Sequence, residues 1–488
     1  MTYIALTIGP IYKTLQNARK TRELWGGSYL FSYIMKNIIK EFRDREFIVP
    51  YINDDSIFES GKGVGLFHDR FIFQSQNGDL EKLDKVIDEV LSQLSKDSTI
   101  DKSFLKEYLQ ISKLEKEIKD TDKEQNPIIA LTPYLDTAEL FYKVPQYKEN
   151  KLQDFLKNRL NSSFLAEDAF SEKIKSFPSL PEIALYDFKD TDIREYLDLD
   201  DELSVYEKEP YRSSVKPYHK YIAIVQADGD SMGEVVKSLK TTKDFKDFNN
   251  FSNNLFKYCN RSHEMISKFG GETIFAGGDD LLFFAPVVSG DRTIFNLCDE
   301  ISDMFDGLFE NYNTTPKATL SFGVSITYYK YPLYEALQNA GELLFAKAKT
   351  GKKNNIAFKV IKHSGQVFES VIHKGNSKIY THFLNISSSI EESDGMDNFL
   401  HSLHHKIDTH KTTLELIAHS DQKIQNFFEN YFNGKEHEKY KKDGGFFAQL
   451  TEYIYEVFQD DSIKQDEKLN TIYATLRFVK FTKGDKDG

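Results

Sequence analysis

Two stretches of the chain share one arrangement of apolar and polar positions. Tyr3-Ile4-Ala5-Leu6-Thr7-Ile8 and Tyr221-Ile222-Ala223-Ile224-Val225-Gln226-Ala227 are apolar runs that read as buried strands. The first ends in Gly9-Pro10 and the second in Asp228-Gly229-Asp230, and their likeness points to an internal duplication. Behind the first come a basic stretch, Arg19 to Arg22, and the run Leu24-Trp25-Gly26-Gly27-Ser28. An apolar helix from Tyr29 to Phe42 follows, then strands over Phe47–Ile52 and Arg70–Gln74 and an amphipathic helix over Lys82–Leu94. A glycine-rich connection (Gly61, Gly63, Gly65) separates the two strands. Behind the second run a helix begins over Glu234–Leu239, and Thr273–Ala276 and Leu281–Ala285 read as the strands of a hairpin. A helix near Asp291–Phe309, a strand Ala318–Tyr328, a helix Leu333–Lys349 and a strand Asn355–Val360 complete a βαββαβ order. Residues 101–216 are rich in Lys, Glu and Asp at helical apolar spacing, with a linker over Glu207–Pro217, and the chain beyond Ile361 is polar and mostly helical. The fold class is α+β: two ferredoxin-like units over 1–100 and 217–365, a helical linking domain over 101–216 and a helical C-terminal domain over 366–488.

The chemistry concentrates in the second unit. Gly277 and Gly278 supply the positive φ of a tight hairpin turn and leave space for a ligand, and Asp279 and Asp280 stand at its tip. Two like charges so close are costly unless a cation neutralises them. A solvated Gly-Asp corner explains the tip by itself, but Asp228 adds a further carboxylate at a strand end, just before a helix N-terminus that can hold phosphate. A strand-end Asp with a hairpin-tip Asp pair is how polymerase-type palms hold two Mg²⁺, with water and substrate phosphate completing the shell. Lys349 and Lys353, near the end of the Leu333–Lys349 helix, can serve a triphosphate or simply suit a helix C-terminus. In the first unit no Asp ends the strand, and Asn53-Asp54-Asp55 reads as a polar turn.

Net charge is −13, from 63 Lys+Arg and 76 Asp+Glu, so the surface is not broadly basic and any RNA contact is local or shared with basic subunits. Two cysteines, Cys259 and Cys298, exclude a disulfide framework and a cysteine zinc site. His401, His404 and His405 lack an accompanying carboxylate and read as a solvated or interfacial face. With no basic-then-apolar leader and no membrane-length apolar run, the expectation is a cytoplasmic protein with no membrane partner.

At these residues the chain resembles the large polymerase-palm subunit of type III CRISPR effector complexes, of the Cmr kind. The resemblance rests on Ile8-Gly9-Pro10, the run Ala18 to Ser28, Asp228-Gly229-Asp230-Ser231-Met232-Gly233 and Gly277-Gly278-Asp279-Asp280, in the family's order across the first three quarters of the chain. The glycine–aspartate turn, the Glu342–Lys349 helix and the Lys353-Asn354 step also resemble diguanylate cyclases. The family resemblance implies two palms forming a composite nucleotide site, and a complex with CRISPR RNA and other effector subunits that target RNA activates. It implies synthesis of cyclic oligoadenylate second messengers from ATP by metal-dependent nucleotidyl transfer. By motif, Asp228, Asp279 and Asp280 are the catalytic acids and the ligands of Mg²⁺ or Mn²⁺. Gly277 and Gly278 approach the nucleotide, Ser231 lies beside it, Lys349 contacts phosphate, and Gly27 and Ser28 line the second nucleotide's position. Two departures stand out: the first palm begins at Thr2, so no histidine–aspartate nuclease domain and no DNA cleavage are expected, with His68-Asp69 read as structural, and the two distant cysteines cannot make the zinc ribbon that members often carry between the palms. Sequence does not separate ring synthesis from transfer of AMP to another adenosine acceptor such as S-adenosylmethionine, and an inactive scaffold or a stand-alone diguanylate cyclase are the rival readings.

Overall fold

The structure, a computed structural model, describes residues 1–16, 18–50, 52, 58, 65–96, 101–118, 126–141, 176–188, 216–240, 245–388, 396–417, 419–431 and 446–483. Asn53-Asp54-Asp55, Gly61, Gly63 and nearly all of the expected linker lie outside them.

The first unit is built from β1 (Thr2–Gly9), α1 (Ile11–Gln16), α2 (Thr21–Lys40), β2 (Phe47–Val49), β3 (Arg70–Gln74), α3 (Asp79–Ser95), α4 (Lys102–Tyr108) and β4 (Gln110–Glu117). Its antiparallel sheet runs β2-β3-β1-β4. The strand β1 is buried on both faces, as its unbroken apolar run requires, and α5 (Pro127–Leu140) packs against it. Two expectations are corrected here. The sheet continues past residue 100, because β4 pairs with β1 along its whole length (Thr2↔Glu117 to Gly9↔Gln110) inside the span read as purely helical. Its half-buried, charge-rich sequence QISKLEKE lacks the apolar run that announces β1. The helix α2 also begins at Thr21, well before Tyr29, so Trp25, Gly26, Gly27 and Ser28 are buried helical residues.

The second unit repeats this order. After a short helix, α6 (Leu180–Ala184), come β5 (Tyr221–Asp230), α7 (Met232–Ser238), α8 (Lys246–Phe269), β6 (Glu272–Gly277), β7 (Asp280–Pro286), the small ribbon β8–β9 (Val288–Ser289 and Arg292–Thr293), α9 (Ile294–Phe309) and β10 (Thr319–Tyr328). Helix α8 buries Phe248, Phe251, Leu255, Tyr258, Cys259, Ile266 and Phe269 at three- and four-residue spacing, and Gly270 at φ 93° ends it. The sheet order β10-β5-β7-β6 matches β4-β1-β3-β2 strand for strand, so the expected duplication is present in the fold.

Beyond β10, α10 (Leu333–Glu342) passes into a π-helical turn over Leu343–Ala348, where a plain α-helix is expected, and Lys349 N bonds Leu344 O at 2.9 Å. Gly323 seats this turn on the sheet: a Cβ there would stand 2.2 Å from Ala340 O and 2.5 Å from Leu344 N. Strand β11 (Asn355–Ile361) joins β10 in parallel, and β12 (Val367–His373) adds an outer antiparallel strand past the expected domain end at 365. Six helices follow among the described residues, α11 (Ser377–Ser388) to α16 (Gln465–Lys483), and α16 packs on β12.

The two units meet in a near two-fold arrangement. Helix α2 packs on β6 of the other sheet, and α8 packs on β2 of the first. Phe67 meets Phe256 edge-on at 5.9 Å across this seam.

Candidate functional site

The β6–β7 hairpin forms as the sequence predicts, with Gly277 paired to Asp280 and Gly278 at φ 65°. The end of β5 lies alongside, since β5 and β7 are neighbours in register (Ala227↔Leu281). Strand pairing alone thus brings Asp228 to Asp279 and Asp280. Gly229 permits the closest approach: a Cβ there would meet Asp279 Oδ2 at 2.7 Å.

The acids press on one another. Burial, then the charge of Asp228, raises the Asp279 carboxyl to about 7, and the two carboxyls share a hydrogen bond. Asp280 lies well above the usual carboxylate range through burial, then Asp279, Asp228 and Asp69. Its side chain also reaches solvent, with the carboxylates of Asp279, Asp228 and Asp69 crowding it. The ammonium of Lys349 answers them, 2.5 Å from Asp228 Oδ2 and 2.9 Å from Gly229 O. The thiol of Cys259 donates to Gly278 O at 3.4 Å and backs the turn; burial keeps it protonated.

A cavity of about 510 Å³ opens between the palms beside these acids. The first palm lines it with Ile8, Gly9, Pro10, His68, Asp69 and Glu139; the second with Gly277, Asp280, Leu281 and Phe345 among others. His68 and Asp69, read from sequence as structural, are part of the cavity wall. They precede β3 as Asp279 precedes β7, so the duplicated topology places Asp69 where the second palm has its acids. Burial, with Glu139 adding to it and Arg70 opposing, lifts Asp69 to about 6. Arg70 is held by Glu139 Oε1 (2.6 Å) and Asp136 Oδ1 (2.8 Å). Burial, then Arg70, lowers His68 to about 4, which keeps it neutral. The cue available in sequence was the matched position of the two residues relative to their strands.

Other expected residues lie apart from the cavity lining. Gly27 and Ser28 are buried in mid-helix behind α1, where a Cβ on Gly27 would meet Thr14 Cγ2 at 3.4 Å, and Ser28 Oγ has no hydrogen-bond partner among the described residues. Ser231 is the left-handed residue (φ 60°) that turns β5 into α7. Lys353 is exposed in the turn before β11. His405 is exposed and bonds Thr409, and the side chains of His401 and His404 lie outside the described residues.

Among the described residues no three His, Cys, Asp or Glu side chains form a ready coordination cage. The donor set nonetheless fits Mg²⁺ or Mn²⁺: it is all hard carboxylate oxygen, and the raised, mutually bonded acids are what a divalent cation relieves.

A paired-palm fold with one acid-bearing hairpin at the seam defines a nucleotidyl-cyclase-like class of protein. Family models agree: "Cas10/Cmr2, second palm domain" matches residues 221–357, and "CRISPR-associated protein Cmr2, N-terminal" matches residues 3–107. The chain belongs to the Cmr-type large-subunit family, Cas10/Cmr2. It is 28% identical over 214 residues to the CRISPR system Cmr subunit Cmr2 of Pyrococcus furiosus, an alignment covering 39% of this chain and 24% of that relative's length. Two solved structures share the fold at 12% identity. A type III-B Cmr-beta complex bound to cognate target RNA aligns over 88% of this chain and 78% of its own, with TM-score 0.54. A Csm1–Csm4 cassette in complex with cA4 aligns over 98% and 69%, with TM-score 0.51. Among the described residues no helix is long and apolar enough to cross a membrane.

Proposed function

We propose that the chain is the large subunit of an RNA-guided type III CRISPR antiviral effector in the cytoplasm, and that it joins ATP into adenylate second messengers, cyclic oligoadenylates, when target RNA is engaged. The observation that carries this is that strand pairing brings Asp228, Asp279 and Asp280 beside one another, with Lys349 on Asp228 and with Asp280 on the wall of a cavity shared by both palms. Asp228, Asp279 and Asp280 would hold Mg²⁺ or Mn²⁺, which when bound acidifies the acceptor hydroxyl and neutralises departing pyrophosphate. Lys349 supplies a further cation to the triphosphate once Asp228 is otherwise neutralised. Gly277 and Gly278 let phosphate approach the backbone, and Leu281 and Phe345 offer apolar surface to a nucleobase. The first palm supplies the opposing wall that orients the second nucleotide. CRISPR RNA, target RNA and other effector subunits are the partners; with a net charge of −13, RNA is held largely through the complex. The relatives' bound target RNA and cA4 support this reading.

A second reading has a specific observation behind it. Asp69 puts a carboxylate on the first-palm wall beside the Arg70-paired Glu139, which disfavours a second triphosphate there and favours a cationic acceptor such as S-adenosylmethionine, adenylated in place of ring synthesis. Mass spectrometry of products from the target-RNA-activated complex, with ATP alone and with ATP plus S-adenosylmethionine, separates the two. Asp279→Asn with Asp280→Asn should abolish either product and leave assembly intact. Unchanged synthesis by that variant would overturn the acids' role. No product from wild type favours a scaffold, and use of GTP without ATP favours a diguanylate cyclase.

A further inference from the structure

Asp230, two residues past Asp228, is 1% exposed and stands outside the trio of acids that fits a metal ion. Its Oδ2 accepts from Ser321 Oγ at 2.7 Å, Asn354 N at 2.9 Å and Thr319 Oγ1 at 3.0 Å. Three oxygen- and nitrogen-bound protons on one oxygen leave it no capacity to serve as an outer ligand. Its other oxygen, Oδ1, has no hydrogen-bond partner among the described residues and lies 3.9 Å from Lys349 Nζ. A buried carboxylate oxygen without a hydrogen bond is costly unless its charge faces a cation.

The same contacts fix the segment on which Lys349 is carried. Asn354 takes a left-handed conformation (φ 68°) and its amide is shared between Asp230 Oδ2 and Ser321 Oγ. Asn355 Nδ2 donates to Ala348 O at 2.7 Å, closing the loop from the π turn to β11. Asp230 thus ties the end of β5 to the start of β10 and to the far side of the lysine loop.

We infer that Asp230 is a positioning residue for Lys349: it anchors the loop from Lys349 to Asn354 through Oδ2 and aims the ammonium at the acid cluster through the unbonded Oδ1. The role in turnover rests on the nucleotidyl-transfer reading, whereas the placement of Lys349 does not. Asp230→Asn can keep an oxygen acceptor for Thr319, Ser321 and Asn354 and turns an amide toward the ammonium where a negative charge stood. An isosteric fastener would survive that change; a charge that aims Lys349 would not.

The test is pulsed acetylation of the full-length chain with mass spectrometry of each lysine, which needs no turnover. Asp230→Asn should raise labelling of Lys349 about fivefold or more, with Lys468, buried on Phe458 O, unchanged. Unchanged Lys349 labelling overturns the inference. Should Asp230→Asn raise every lysine by unfolding, Thr319→Val, which removes a single donor, decides by the same comparison. A wild-type chain that makes no nucleotide product sinks the proposed reaction and leaves the labelling result to judge Asp230 alone. On a chain that turns over ATP, Asp230→Asn should cost about tenfold or more in kcat in wild type and under twofold beside Lys349→Met. Equal losses in both backgrounds would show that Asp230 does not act through Lys349.

Discussion

Alanine at Gly229 separates the geometry of the acid cluster from the stability of the chain. The added Cβ would stand 2.7 Å from Asp279 Oδ2, 2.7 Å from Met232 Cγ and 2.9 Å from Asp279 Cβ. Restoring ordinary contact moves the Asp279 carboxylate by about 0.7 Å, while the Met232 side chain gives way easily. Misplacement of a reacting group by 1 Å costs about 100-fold in rate, so kcat for nucleotide product should fall about 10- to 100-fold. Because the atoms met belong to side chains beside an open cavity, the melting temperature should stay within about 2 °C of wild type. Product formation by chromatography, run beside a thermal melt on the same preparation, reads both quantities. Full activity at unchanged stability would show that Asp279 need not hold this position. A collapse in melting temperature would show that the site cannot relax, and either result refutes the reasoning.

Two further outcomes follow from the same geometry. Asp279 is near 7 in the folded chain and 3.8 unfolded, so the folded state binds more protons between those values and stability from this group falls as pH rises through that window. In chelator the melting temperature should therefore fall from pH 6 to pH 8, less so for Asp279→Asn, and Mg²⁺ should restore more of it at pH 8; equal melts with and without Mg²⁺ at both pH values would contradict this. Gly323→Ala sets a Cβ against backbone atoms of the π turn at 2.2 and 2.5 Å and should cost about 3 kcal/mol in chemical denaturation, with a loss under about 1 kcal/mol showing the turn to be loosely seated.

Local signals made the second palm legible. The apolar run of β5, the double glycine and the adjacent acids specify a strand end and a hairpin tip within a few residues each, and strand pairing then had little choice. What sequence concealed depends on distant partners. Strand β4 exists because β1 offers it an edge, and its alternating Lys and Glu read as a solvated helix. Asp69 gains meaning only opposite Asp280, a residue of the other palm. Gly26 and Gly27 are weak helix formers, so the helix reads from Tyr29, although α2 already begins at Thr21. In the fold Gly27 gives α1 room to lie against α2. Lys349 was identified from its position near a helix end, but its contact with Asp228 depends on the π turn that Gly323 accommodates.

The two palms clasp each other through exchanged helices, α2 on β6 and α8 on β2, yet differ at their strand tips. Perfect twins would hold a pair of bound molecules equally well either way round. Here Ile8-Gly9-Pro10 and Gln226-Ala227 line the same cavity, and a lone Asp69 stands near Asp280 of the doublet Asp279-Asp280. Broken likeness gives the seam a polarity, so that its two ends offer different chemistry to whatever enters it.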